Sequence, residues 1–124
     1  ILQFNNEKEE LSAIKKLIVT HQASAYKSLG IVCKTESQAY EMAEKLQIPD
    51  IHFLSNQSSA FVQGIVITSA HMAKGLEFDE VIIPQVDDRN YHSEIDRSML
   101  YVAVTRAMHR LTLTYSGTKH TPFI

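Results

Sequence analysis

The sequence predicts an α/β fold, a three-layer α/β/α sandwich around a mainly parallel sheet. Two observations predict it. Short runs that are apolar throughout, "GIVCK" (30–34), "GIVIT" (64–68) and "VIIPQ" (81–85), have the character of strands covered on both faces, as parallel strands are. Between them lie segments whose apolar residues recur at helical spacing, the pattern that crossover connections leave in a sequence.

The elements follow in order. From Asn6 to about His21, residues Leu11, Ile14, Leu17 and Ile18 mark one helical face. Asn6 is a candidate N-cap, and Glu7, Glu9 and Glu10 suit the positive end of a helix. Residues 30–34 make a buried strand. Residues 36–47 make a helix with Ala39, Met42, Ala43 and Leu46 on one side and Thr35 as its cap. Pro49-Asp50 is a turn, residues 51–54 a short strand and residues 55–60 a polar loop. Residues 64–69 and 79–85 are strands, the second ending where Pro84 breaks the ladder. A polar connection, 86–93, leads to a helix expected from Glu94 to about His109. Residues 110–116 close the chain's regular structure as a strand with alternating Leu111, Leu113 and Tyr115.

Composition narrows the function classes. The 124 residues suit one domain, 1–124, with a single core. The 44% hydrophobic and 21% charged content is that of a globular chain and excludes disorder. A net charge of −2 excludes gripping nucleic acid by bulk positive charge and leaves room for a local basic patch. The one cysteine, Cys33, excludes an internal disulfide and reads as a small buried hydrophobe. A reducing, cytoplasmic setting is the expectation. No run nears the roughly 18 apolar residues of a membrane span, so no membrane partner is expected. The chain lacks an initiating Met and is expected to be a piece of a longer protein.

Two segments could carry chemistry. The first, "SAHMAKGLEFDE" (69–80), crowds His71, Lys74, Gly75 and Glu77 into the connection after a buried strand, and ligands of open α/β sheets bind beyond the carboxyl ends of strands. Gly75 permits a tight turn or a close approach to a ligand. Lys74 offers a cation, and Glu77 an acceptor for a sugar hydroxyl. A solvated polar loop has the same composition. In the second, "EIDRSMLYVAVTRAMHR" (94–110), Ile95, Met99 and Val102 are expected to face the core, with Arg106 four residues on along the same face. Arg106 there either snorkels out at the helix's negative end or reaches an anion, for which its planar fork suits phosphate. Glu94 and Arg97 make a surface ion pair of a few tenths of a kcal/mol at about three residues' separation. Asp87-Asp88 reads as a solvated pair. The six histidines are dispersed without metal-ligand spacing, and the sequence holds neither a P-loop nor a nucleophile elbow.

Together the two segments are specific. "TSAHMAKGLEFDEVIIP" (68–84, in motif V at 65–84) and "DRSMLYVAVTRAMHRLTLTYSG" (96–117, over motif VI at 94–115) resemble, in the same order, motifs V and VI of the superfamily 1 DNA helicases of the UvrD/Rep/PcrA type. More loosely, "LGIVCKTESQAYEMAEKL" is similar to the family's preceding strand and helix. The resemblance implies a RecA-like, P-loop NTPase-type sandwich that lacks its own P-loop, the C-terminal (2A) motor domain of such a helicase. It implies ATP bound between this domain and the N-terminal motor domain of the same protein, which carries the Mg²⁺ ligands. Arg106 would reach the γ-phosphate and Glu77 the ribose with Gly75 close beside it; His71 would lie near the DNA backbone, and Lys74 on the nucleotide side and Thr68 on the DNA side would help link the two sites. Arginines in that role are worth about 10³–10⁵ in rate.

Departures accompany the resemblance. The family's motif IV precedes this region and is absent. The connection from Ile51 to Gly64 is too short for the large 2B insertion, which points to a shorter-armed, helicase IV-like branch. The chain alone is expected to be inactive. The alternatives are a non-catalytic module that binds a protein, such as RNA polymerase or a repair protein, and a subunit of a nuclease-fused helicase.

Overall fold

Strand β2 (Leu29–Cys33) is buried along its whole length and is flanked on both sides by parallel partners. In the computed structural model, which describes residues 1–55 and 64–124, the elements are β1 (Leu2–Phe4), α1 (Glu7–Gln22), β2, α2 (Glu36–Leu46), β3 (Ile51–Phe53), β4 (Ile65–Ser69), α3 (Ala70–Ala73), β5 (Phe78–Ile83), α4 (Glu94–Val104) and β6 (Ala107–Ser116). Apart from Ser55, the expected loop at 55–60 lies outside the described residues. The six strands run in the order β1-β6-β5-β2-β4-β3, and every pairing is parallel. The sheet expected to be mainly parallel is wholly so.

Crossover handedness sorts the helices. The connections β1 to β2 and β2 to β3 run toward one edge of the sheet, and β4 to β5 and β5 to β6 run toward the other. Right-handed crossovers in opposite directions lie on opposite faces. Accordingly Ile14 and Ile18 of α1 and Ala39, Met42 and Leu46 of α2 pack with Leu29, Ile31, Ile65, Ile67 and Ile82. On the other face Ala70 and Ala73 of α3 and Leu100 and Ala103 of α4 pack with Val32, Val66, Phe78, Val81 and Ile83. Each fully buried aliphatic side chain contributes about 1.5–3 kcal/mol.

Local signals start the helices. The Asn6 side chain accepts from Glu9 N at 2.9 Å. Thr35 caps α2 and shares a capping box with Gln38. Ser93 caps α4 in the same way with Asp96, whose carboxylate also receives Lys34 Nζ at 2.8 Å. The Lys34 bond, with backbone donors from His92 and Ser93, holds the Asp96 carboxyl well below the usual carboxylate range against the opposing effect of burial. A carboxyl whose folded-state pKa lies below the unfolded one contributes stability that is fully present above the unfolded value and is lost as pH falls from there through the folded value. The wild type is therefore expected to lose stability on acidification through about pH 4, and Asp96→Asn to be weaker at neutral pH but flatter. Urea midpoints at neutral and acid pH check this.

Four expectations are corrected. The last helix ends at Val104 rather than near His109, and β6 begins at Ala107 rather than Arg110. Pairing with β5 takes over there: Ala107 stands opposite Phe78, and Arg106 O accepts from Phe78 N at 2.9 Å. The buried face of α4 is Asp96, Leu100 and Ala103, whereas Ile95 is 75% exposed. Drawing Asp96 inward to Lys34 turns Ile95 out, and Arg106 lies beyond the helix altogether. Asp87 is buried rather than solvated, its Oδ1 accepting from Asn90 N at 2.9 Å. β1 and α3 were not expected; with three and four residues they are too short to show a period. The Glu94–Arg97 pair is present at 3.9 Å on exposed side chains.

Candidate functional site

The passage 70–77 carries the chain from the carboxyl end of β4 to the amino end of β5 in eight residues. Ser69 starts it, its hydroxyl accepting from Met72 N at 3.2 Å. The small buried side chains of Ala70 and Ala73 let α3 lie close on the sheet. Leu76 N donates to Ala73 O at 3.0 Å, and the chain then reverses through Gly75. Gly75 has φ +80, in the left-handed region, while the space where a Cβ would stand is open. Backbone conformation, not crowding, calls for glycine there. Phe78 follows, fully buried, and anchors the passage.

Arg106 meets this passage from the other side. Its backbone takes the Phe78 N–H, and its guanidinium Nη1 donates to Leu76 O at 3.4 Å, so it contacts both neighbours of Glu77. Nε donates to Val102 O at 3.1 Å and Nη2 to Thr105 Oγ1 at 3.2 Å. Lys74, Gly75 and Glu77 are exposed around it, and Arg106 is half-buried. The structure thus brings the Gly75–Glu77 turn and Arg106 together at the amino ends of β5 and β6, while Lys74, just before that turn, lines a groove with His71. The carboxyl-end position expected for the whole stretch holds only for its first half.

His71 stands in that first half, exposed, on the first turn of α3. With Lys74 it edges a groove of about 200 Å³ floored by Ile95, Met99 and Val102 of α4. Thr68 belongs to neither place. It is fully buried in β4, and its hydroxyl donates to Leu54 O at 2.7 Å.

Further polar groups support the amino end. His21, at the end of α1, lies 3.0 Å through Nδ1 from the buried Glu80 Oε1, and Arg110 stands 3.9 Å from Glu80 Oε2. His109 stacks on Tyr26, ring planes 1° apart, and the Arg110 guanidinium lies 5.0 Å from the same ring. Burial, with the Glu10 charge in second place, pushes the Cys33 thiol up to about 12, so it is an inert hydrophobe. Burial likewise raises the Tyr91 phenol, first among causes that include Cys33, Asp96 and Asp87. Among the described residues no group of three or more His, Cys, Asp or Glu could hold a metal ion, and no helix is long and apolar enough to cross a membrane.

Sequence reasoning named Arg106, Glu77 and Gly75, and gave Thr105 only packing and a hydroxyl hydrogen bond beside Tyr101; it did not link Thr105 or the Leu76 carbonyl to the guanidinium they hold. A hydroxyl residue directly before an arginine at a helix end was the available signal for the first. A backbone carbonyl leaves none.

The chain can be compared with known proteins on this footing. The family model described as UvrD-like helicase C-terminal domain matches residues 64–114, the span from β4 through most of β6. DNA helicase II of Escherichia coli (strain K12) is 30% identical over 107 residues, covering 72% of this chain. The chain spans 15% of that protein's length. Gabija protein GajB of Bacillus cereus (strain VD045) is 41% identical over 58 residues, 47% of this chain and 12% of that protein. The solved C-terminal domain of a protein described as a possible DNA helicase, from Lactobacillus plantarum WCFS1, superposes with a TM-score of 0.85 at 22% identity, over 98% of this chain and 75% of that one. Arterivirus nonstructural protein 10, a helicase solved with DNA, gives a TM-score of 0.59 at 13% identity, over 99% of this chain and 31% of that one. The two structures speak to the fold, which is the RecA-like sandwich.

Proposed function

We propose that the chain, 1–124, whose residues 64–114 match the UvrD-like helicase C-terminal domain, is the C-terminal motor domain of an ATP-dependent DNA helicase. Its amino-end edge supplies half of an ATP site, and its other half, with the P-loop and the Mg²⁺ ligands, belongs to an N-terminal motor domain. The observation that carries this reading is the joining of Arg106 to the Gly75–Glu77 turn through the Leu76 carbonyl and the Phe78 amide. An arginine fixed beside an exposed carboxylate and a glycine turn offers a nucleotide a phosphate donor, a ribose acceptor and close backbone approach on one edge.

In this reading Arg106 neutralises charge that develops on the transferring phosphoryl group. Glu77 accepts a ribose hydroxyl, and Lys74 adds a mobile cation. His71 stands on the first turn of α3, at the edge of the groove it shares with Lys74, and serves single-stranded DNA. Thr68, being buried, acts from within by tying the carboxyl end of β4 to Leu54. α3 is the short lever between the two sides: its far end carries the turn at Gly75, so a shift imposed by nucleotide is passed to His71 through four residues.

The test is ATP hydrolysis by the full-length protein with and without single-stranded DNA. DNA-stimulated turnover supports the motor. Absence of turnover with nucleotide and metal supplied favours the protein-binding module. Glu77→Ala is expected to raise KM for ATP about fivefold with little change in kcat, the loss of one ordinary hydrogen bond. An unchanged KM would remove Glu77 from the ribose.

A further inference from the structure

Arg106 is held by three acceptors, and one of them is a side chain. Thr105 Oγ1 lies 3.0 Å from Tyr101 O and 3.0 Å from Val102 O. A hydroxyl has one proton and two lone pairs. With its proton committed to those carbonyls at the end of α4, Thr105 can meet Arg106 Nη2 only as an acceptor, and it does so at 3.2 Å. Val102 O takes Nε on the same side of the guanidinium, and Leu76 O takes Nη1. Of the five guanidinium N–H groups, three are thereby used, and Nη1 and Nη2 each keep one. One N–H on each terminal nitrogen is the number of donors that a bidentate phosphate contact uses.

We infer that Thr105 is a positioning residue, whose hydroxyl fixes the plane of the Arg106 guanidinium so that its last two N–H groups are presented together as a fork. This rests on the role given above to Arg106. Without the hydroxyl, Nη2 loses its partner and the guanidinium can turn about the Val102 contact. The fork is then aimed by the substrate at the moment of reaction rather than beforehand. Such misplacement acts on kcat more than on binding, because the contact matters most where charge develops. Thr105 is exposed, so replacing it leaves the core untouched.

The experiment compares Thr105→Val, which keeps the shape and removes the acceptor, with Thr105→Ser, which keeps the hydroxyl. Both are made in the full-length protein beside Arg106→Ala. Thr105→Val is expected to lower DNA-stimulated kcat about tenfold to a hundredfold with KM for ATP within about twofold, while Thr105→Ser stays near wild type. Wild-type kcat in Thr105→Val beside an inactive Arg106→Ala would overturn the role of Thr105 alone. Equal losses in the Val and Ser variants, tracking a fall in melting temperature, would make Thr105 merely structural and overturn it too. Wild-type turnover in Arg106→Ala would overturn this inference together with the reading of the site.

Discussion

Arg106→Ala is expected to lower the DNA-stimulated ATP turnover of the full-length protein by about 10³-fold or more and to leave the melting temperature nearly unchanged. The two halves of this result have separate causes. In this reading the guanidinium is the group that meets the transferring phosphate, so turnover falls with it. Its own partners are the Val102 and Leu76 carbonyls and the Thr105 hydroxyl, at a half-exposed helix end where water can replace it, so stability does not. Arg106→Lys is expected to recover little, since a single ammonium cannot bond Val102, Leu76 and Thr105 and still present two donors outward. Steady-state kinetics beside a thermal melt separate the two effects.

Gly30→Val is expected to destabilise the domain by about 1–3 kcal/mol and to depress turnover with it. A Cβ at Gly30 would stand 2.6 Å from Phe78 Cδ2 and 2.7 Å from Cε2. The Phe78 ring is fully buried, and its backbone amide is tied to Arg106 O. The ring can yield only by shifting the start of β5, just after Glu77, against the start of β6, just after Arg106. A fall in the denaturation midpoint together with reduced kcat is the predicted pattern. A variant of wild-type stability would show that the ring has room to move and that the packing beneath the site is loose.

What was legible in the sequence was what neighbours in sequence decide. Asn6 and Thr35 cap the helices they were expected to cap because an N-cap bonds backbone only two or three residues away. β2, β4 and β5 were legible because strands buried on both faces are apolar throughout. The end of α4 was not legible. Thr105, Arg106, Ala107 and Met108 continue a helical pattern, and what stops the helix is Phe78, some thirty residues away, pairing with Ala107. β1 is a strand only because β6 lies beside it. The outward turn of Ile95 depends on Lys34, at the far end of β2, drawing Asp96 inward.

The candidate site divides along the same line. Gly75, Glu77 and Arg106 were named from their chemistry and their motifs, and the structure brings them to one edge. That this edge is the amino end of the sheet depends on how quickly α3 carries the chain back, and no residue type signals that. The burial of Thr68 follows from its place inside an apolar strand, where a hydroxyl must find a partner within the fold and finds Leu54 O.

The most direct test of the central claim is a crystal structure of the full-length protein with a non-hydrolysable ATP analogue, magnesium and single-stranded DNA. The account predicts both terminal nitrogens of Arg106 within about 3.2 Å of γ-phosphate oxygens, Glu77 on the ribose, and the DNA strand on the His71 side of α3. A nucleotide bound away from the 74–77 turn, with Arg106 still facing solvent, would contradict it.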